Sequence, residues 1–223
     1  MHENEKLITA NHTSTWPGSI NSARIVIGRQ SHCVNARQSI TSSKSNMDTS
    51  GIIPDIIDDK PKARVTVTYP SGAQVDVGKE LTPTQVKDQP TVSWDAEAGA
   101  LYTLLMVDPD APSRSDPTMR EVLHWAVINI PGNNVANGQV LAEYVGAGPA
   151  QGSGLHRYVF FVFKQNDKIT SDKFISKTTL EGRLNVKIRD YVAKYNFGIP
   201  VAGNFFQAQY DDSVPAIRAQ LGK

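Results

Sequence analysis

Two short segments hold the residues best able to do chemistry: Asp108-Pro109-Asp110-Ala111-Pro112-Ser113-Arg114 and Gly152-Ser153-Gly154-Leu155-His156-Arg157-Tyr158. Between them, His124 sits at the centre of the apolar run Val122-Leu123-His124-Trp125-Ala126-Val127-Ile128. Asp108 and Asp110 stand two apart across a proline of fixed φ, so both carboxylates can project to one side of a rigid turn. His156 and Tyr158 are two apart at the mouth of the run Tyr158 to Phe163, and so share a strand face. Arg157 points to the other face, which suits a structural ion-pair partner. Each residue also has a plainer reading. Asp-Pro-Asp-Ala-Pro is good turn chemistry, and a lone histidine on an apolar strand usually belongs to the core. Alternation places His124 on the face of Val122, Ala126 and Ile128, with Trp125 opposite. Together, two carboxylates, two imidazoles and a phenol beside glycine-rich turns would make a small polar site. In the turn Gly146-Ala147-Gly148-Pro149, glycines let backbone approach a ligand, and successive N–H groups can form an anion-binding concavity.

From about Met47 onward, these motifs in this order resemble the phosphatidylethanolamine-binding protein family, which includes the Raf kinase inhibitor proteins, in an animal, insect-like form. The resemblance implies one pocket lined by Asp108, Asp110, His124, Gly148, Pro149, His156 and Tyr158. It also implies binding of phosphate-bearing groups such as phosphatidylethanolamine head groups, and modulation of a kinase or other signalling partner. Inhibition of serine carboxypeptidases, known among relatives, is the alternative. In the family's animal members a tyrosine often occurs on the C-terminal helix near the pocket mouth; Arg218 stands at that position here.

A phosphate pocket with two bare carboxylates would repel its ligand. The expected resolution is that Asp108 and Asp110 sit behind the histidines and favour their charged form, so that imidazolium N–H groups face the anion. No catalytic residue, metal or cofactor is expected. Two Asp and two His could ligate a metal, but no tight ligand spacing is present. A Ser-His-Asp triad could be drawn from Ser113 or Ser153, yet neither lies in a G-x-S-x-G elbow.

Positioning these residues requires strands. Val65, Val67 and Tyr69 alternate with threonines, Pro70-Ser71-Gly72 supplies a turn, and Gln74 to Val77 alternates again, which predicts a hairpin. Leu101 to Val107 predicts a strand covered on both faces, and Val122 to Ile130 and Arg157 to Lys164 two more long strands. Val140 to Tyr144 predicts a shorter strand, and Asn204 to Tyr210 another. Leu184, Ile188, Tyr191, Val192 and Tyr195 lie on one helical face, stopped by Gly198 and Pro200. A short C-terminal helix follows, with Val214, Ile217 and Leu221 on one face, Asp212 or Ser213 as cap and Pro215 in its first turn. The expected fold is mainly β, an antiparallel sandwich with a few peripheral helices.

The chain has 223 residues, 39% hydrophobic and 20% charged, with net charge +1. That is ordinary for a globular domain, and no basic stripe suggests nucleic acid. One cysteine, Cys33, excludes an internal disulfide framework and fits a reducing compartment. Residues 1–46 are rich in Ser, Asn and Thr, with Lys6, Arg24, Arg29, Arg37 and Lys44 against only Glu3 and Glu5. They read as a disordered extension before a domain at 47–223, with Met47 as its natural start. The expectation is a cytoplasmic monomer without a transmembrane segment. A mitochondrial transit peptide in residues 1–46 is the alternative. The sequon Asn11-His12-Thr13 has no apolar signal region to support secretion.

Overall fold

The structure is a computed structural model describing residues 46–171 and 173–222. The expectations placed on residues 1–45, including the sequon and Cys33, lie outside the described residues. Eight strands occur among the described residues: β1 (Ala63–Arg64), β2 (Thr66–Thr68), β3 (Thr91–Ser93), β4 (Leu101–Asp108), β5 (Val122–Pro131), β6 (Gln139–Ala142), β7 (His156–Lys164) and β8 (Ala202–Ala208). Four short helices accompany them: α1 (Asn46–Thr49), α2 (Ile52–Asp55), α3 (Ile188–Lys194) and α4 (Val214–Gln220).

Six strands form one sheet in the order β1-β8-β7-β4-β5-β6, while β2 and β3 pair separately. The large sheet is mixed, because β1 runs parallel to β8 while its other pairings are antiparallel. That corrects the expectation of a purely antiparallel sandwich. Residues of β4 and β7 are apolar on both faces because both faces are covered. Tyr102, Leu104, Met106, Tyr158, Phe160 and Val162 pack with Val67, Val92 and Trp94 of the β2–β3 layer. Leu105, Val107, Val159, Phe161 and Phe163 pack with Met47, Ile52, Ile56 and Ile188 on the helical side.

Three local expectations change. The hairpin turn forms, with Gly72 N–H donating to Tyr69 O at 2.9 Å, but Gln74 makes only an isolated bridge to Thr68. The register partner of β2 is instead Thr91–Ser93, far along the chain. The helix expected from Leu184 begins only at Ile188. Val186 exchanges both backbone hydrogen bonds with Glu121, at 2.8 and 2.9 Å, which holds the preceding residues against the start of β5. The third change is a bulge in β5, described with the site. Among the described residues no helix is long and apolar enough to cross a membrane.

Candidate functional site

At the junction of β4, β5 and β7, closed over by α4 and the segment before α3, lies a cavity of about 130 Å³. Asp108, His124, Gly148, His156 and Tyr158 line it; Asp110 and Pro149 are not among its lining residues. The walls are apolar, with Pro112, Met119, Val122, Leu180, Leu184, Ile217 and Leu221 around this polar floor, and Arg218 also reaches it.

His124 reaches the cavity through a defect in strand alternation. Met106 pairs with Trp125, but the next residue, Val107, pairs with Leu123, so His124 is the extra residue of a β-bulge. Bulges bend a strand and re-aim side chains. Trp125 and Val127 therefore join the Tyr158 side of the sheet, while Leu123, Ala126 and Ile128 join the other. The expected grouping of His124 with Ala126 and Ile128 does not occur. Instead its ring meets Tyr158 edge-on, with centroids 5.2 Å apart.

Arg183, which the sequence reading passed over, holds this bulge. It is buried, and its guanidinium donates to the carbonyls of Leu123 (3.0 Å), His124 (3.3 Å), Thr179 (3.0 Å), Glu143 (2.9 Å) and Ser176 (3.0 Å). Burial pushes its pKa down to about 10, and carbonyl oxygens rather than a carboxylate satisfy its donors. A lone arginine in a polar stretch carries no signal of such a role.

The two carboxylates face different partners. Asp108 accepts the Asp110 backbone N–H at Oδ1 (2.7 Å) and contacts His156 Nδ1 at Oδ2 (2.8 Å). Asp110, fully buried, takes both Nε (2.8 Å) and an Nη (2.6 Å) of Arg157, together with the Arg157 backbone N–H (2.9 Å). Burial alone would raise the Asp110 pKa, but the hydrogen bonds and charge of Arg157 hold it below the ordinary value. Arg157 also donates to Ser50 O at 2.8 Å, tying the segment between α1 and α2 to β7. Asp110 and Arg157 thus form a structural pair behind the cavity.

Neither histidine turns toward the cavity the free N–H that the sequence reading expected. Burial depresses the His124 pKa, leaving the ring neutral. Its Nδ1 lies 2.9 Å from Val145 O and carries the proton, so Nε2 is an acceptor. His156 uses both nitrogens within the protein, Nδ1 on Asp108 and Nε2 on Ser153 Oγ at 2.9 Å. Tyr158 supplies the polar group of the floor. Burial raises its pKa well above the ordinary range, and its hydroxyl lies against the Gly148 backbone without a well-formed hydrogen bond. Gly146 is required by close packing, since a Cβ there would stand 3.0 Å from the Val86 and Lys87 backbone.

The phosphatidylethanolamine-binding protein family model matches residues 68–206. A Drosophila melanogaster protein named "Putative odorant-binding protein A5" is 39% identical over 171 residues, covering 76% of this chain and 81% of its own. The solution structure of CG7054 is 51% identical, with a TM-score of 0.64, covering 76% of this chain and 97% of that one. A carboxypeptidase Y inhibitor, solved in complex with its cognate proteinase, is 28% identical, with a TM-score of 0.63, covering 74% of this chain and 94% of its own. A phosphatidylethanolamine-binding protein from Plasmodium vivax shares the fold at 22% identity and a TM-score of 0.61, covering 74% of this chain and 96% of its own. The chain belongs to the phosphatidylethanolamine-binding protein family.

Proposed function

We propose that this protein is a binding protein whose cavity takes the phosphate-bearing head of a small amphiphile, with phosphorylethanolamine as the simplest probe. One observation carries the reading. A largely apolar cavity has at its floor a proton-bearing, poorly partnered Tyr158 hydroxyl and a neutral His124 acceptor, and the Arg218 guanidinium at its wall has no hydrogen-bond or ion-pair partner among the described residues. Phosphate would take Arg218 and the Tyr158 O–H. The ammonium, or a phosphate O–H, would donate to His124 Nε2. Asp108 and His156 hydrogen-bond each other and supply shape, so the proposed binding mode differs from the imidazolium mechanism. Apolar walls accept the start of a hydrocarbon tail.

Calorimetric titration with phosphorylethanolamine tests this. Tyr158→Phe and Arg218→Ala should each weaken binding by about 1–3 kcal/mol, the usual worth of a hydrogen bond to a charged group. No saturable binding by the intact chain would remove the reading. A second reading, inhibition of a serine carboxypeptidase, is favoured by the likeness to the carboxypeptidase Y inhibitor. Assays of carboxypeptidase activity with and without this protein decide it. A kinase-modulating role in the cytoplasm belongs to the same proposal. Adding the protein to a lysate kinase cascade tests the role, and imaging of tagged protein tests the location.

A further inference from the structure

Ser153 completes an arrangement that the motif reading set aside. Its Oγ lies 2.9 Å from His156 Nε2, and His156 Nδ1 lies 2.8 Å from Asp108 Oδ2. Asp108 accepts from Nδ1–H and so fixes the tautomer in which Nε2 is a base, with Asp108 itself held by the Asp110 N–H. A hydroxyl, a base within hydrogen-bond reach and a group orienting that base are the signature of an activated nucleophile on any fold. The Ser153 hydroxyl has a second acceptor, Ala150 O at 2.7 Å, so its proton has two settings, one of them on the base. Ala150 and His156, its two hydrogen-bond partners, both line the apolar cavity, although Ser153 itself does not. Gly152 and Gly154 on either side are exposed and Ser153 is half-buried, which leaves the serine approachable. The N–H of Gly154, directly after the serine, is engaged by no other group among the described residues.

We propose that Ser153, His156 and Asp108 hydrolyse small carboxylic esters whose short apolar acyl group enters the cavity. Ser153 Oγ bonds to the ester carbonyl carbon as its proton passes to His156 Nε2, and the developing oxyanion takes the Gly154 N–H. The ester C–O bond then breaks, and the leaving alkoxide takes the proton from Nε2–H to depart as the alcohol. Water adds to the acyl-serine with Nε2 as base, the acyl–Oγ bond breaks, Ser153 regains its proton and the carboxylic acid leaves. Ser153 and His156 are catalytic in this scheme and Asp108 is a positioning residue. The scheme goes beyond the head-group reading and does not depend on it.

The test uses the full chain and p-nitrophenyl butyrate. Turnover above the buffer rate is expected, with an acyl adduct mapped to Ser153 by mass spectrometry after rapid acid quench. Ser153→Ala should return the rate to that of buffer with its thermal midpoint unchanged. Asp108→Asn should lower kcat at least about tenfold with little change in KM, because the wrong tautomer spoils the base rather than the cavity. Ser113→Ala, on a different loop, should match the unaltered chain. A rate that survives Ser153→Ala, or the absence of both turnover and adduct in the unaltered chain, overturns the proposal. Phosphorylethanolamine titration of Ser153→Ala separates the two readings: binding there, together with no hydrolysis by the unaltered chain, rejects the esterase alone.

Discussion

Removing Asp110 leaves the buried Arg157 guanidinium with only Ser50 O and the half-exposed Asp55 carboxylate at 3.6 Å, a poor substitute for the close pair. The Asp110 and Arg157 side chains are both 0% exposed, and a buried charge left without its partner costs about 3–5 kcal/mol. Asp110→Ala should therefore lower unfolding stability by about that amount in urea titrations. Adding Arg157→Met to the same chain should restore part of it, since an apolar replacement removes the stranded charge. Full additivity of the two losses would refute the pairing. Glu121 is the opposite case, a carboxyl the fold keeps neutral. Burial raises its pKa from 4.5 to about 7, against the lowering effect of the Ile188 N–H that it accepts at 3.1 Å. A folded-state pKa above the unfolded value means the fold binds the proton more tightly. This contribution is fully present below pH 4.5 and is lost as pH rises through 7. Glu121→Gln should abolish that decline, which is on the order of 2–4 kcal/mol. The measurement is the difference in urea midpoint between the two proteins at pH values below and above this window. A constant difference would place the carboxyl in water.

At the scale of elements, the β5 bulge and the Arg183 segment form one device. The bulge leaves the carbonyls of Leu123 and His124 beside the Arg183 guanidinium, and buried carbonyls without partners are costly. Arg183→Met should destabilise the fold by at least about 3 kcal/mol, because several carbonyls lose a charged donor at once. It should also weaken head-group binding, because the bulge that carries His124 toward Tyr158 then rests on its hydrogen bonds to Val145 without the guanidinium. Urea unfolding and a phosphorylethanolamine titration check the two effects, and a stable variant with unchanged affinity would show that β5 keeps its bulge alone. Alternation in Val122 to Ile128 made the strand legible but put His124 on the wrong face. A bulge is one extra residue whose position depends on the neighbouring strands, here β4 and β6. The helix start was misread for a related reason. Leu184 has the right spacing for α3, yet it lines the cavity while Val186 pairs with Glu121.

For the whole molecule, the sequence reading makes residues 1–46 dispensable to the fold. Met47 must be kept, because it is only 4% exposed and packs beside Ile52 and Ile56. A chain starting at Met47 should melt within about 2 °C of the full-length protein, the outcome expected if residues 1–46 bury few contacts with the domain. A large drop would show that the segment packs on the domain. The sequence by itself determined five of the six strands of the large sheet, the C-terminal helix and the family, because alternation, apolar runs and turn residues act over a few neighbouring positions. It also gathered Asp108, His124, Gly148, His156 and Tyr158, through motifs that resemble a known pocket. Only the tertiary structure decided what each polar group does. Asp110 pairs with Arg157, His124 is neutral, His156 is hydrogen-bonded to Asp108 and Ser153, and Arg183 props the bulge. The pairing of Asp110 with Arg157 and of Asp108 with His156 joins residues 47 and 48 positions apart, and no local pattern encodes those distances.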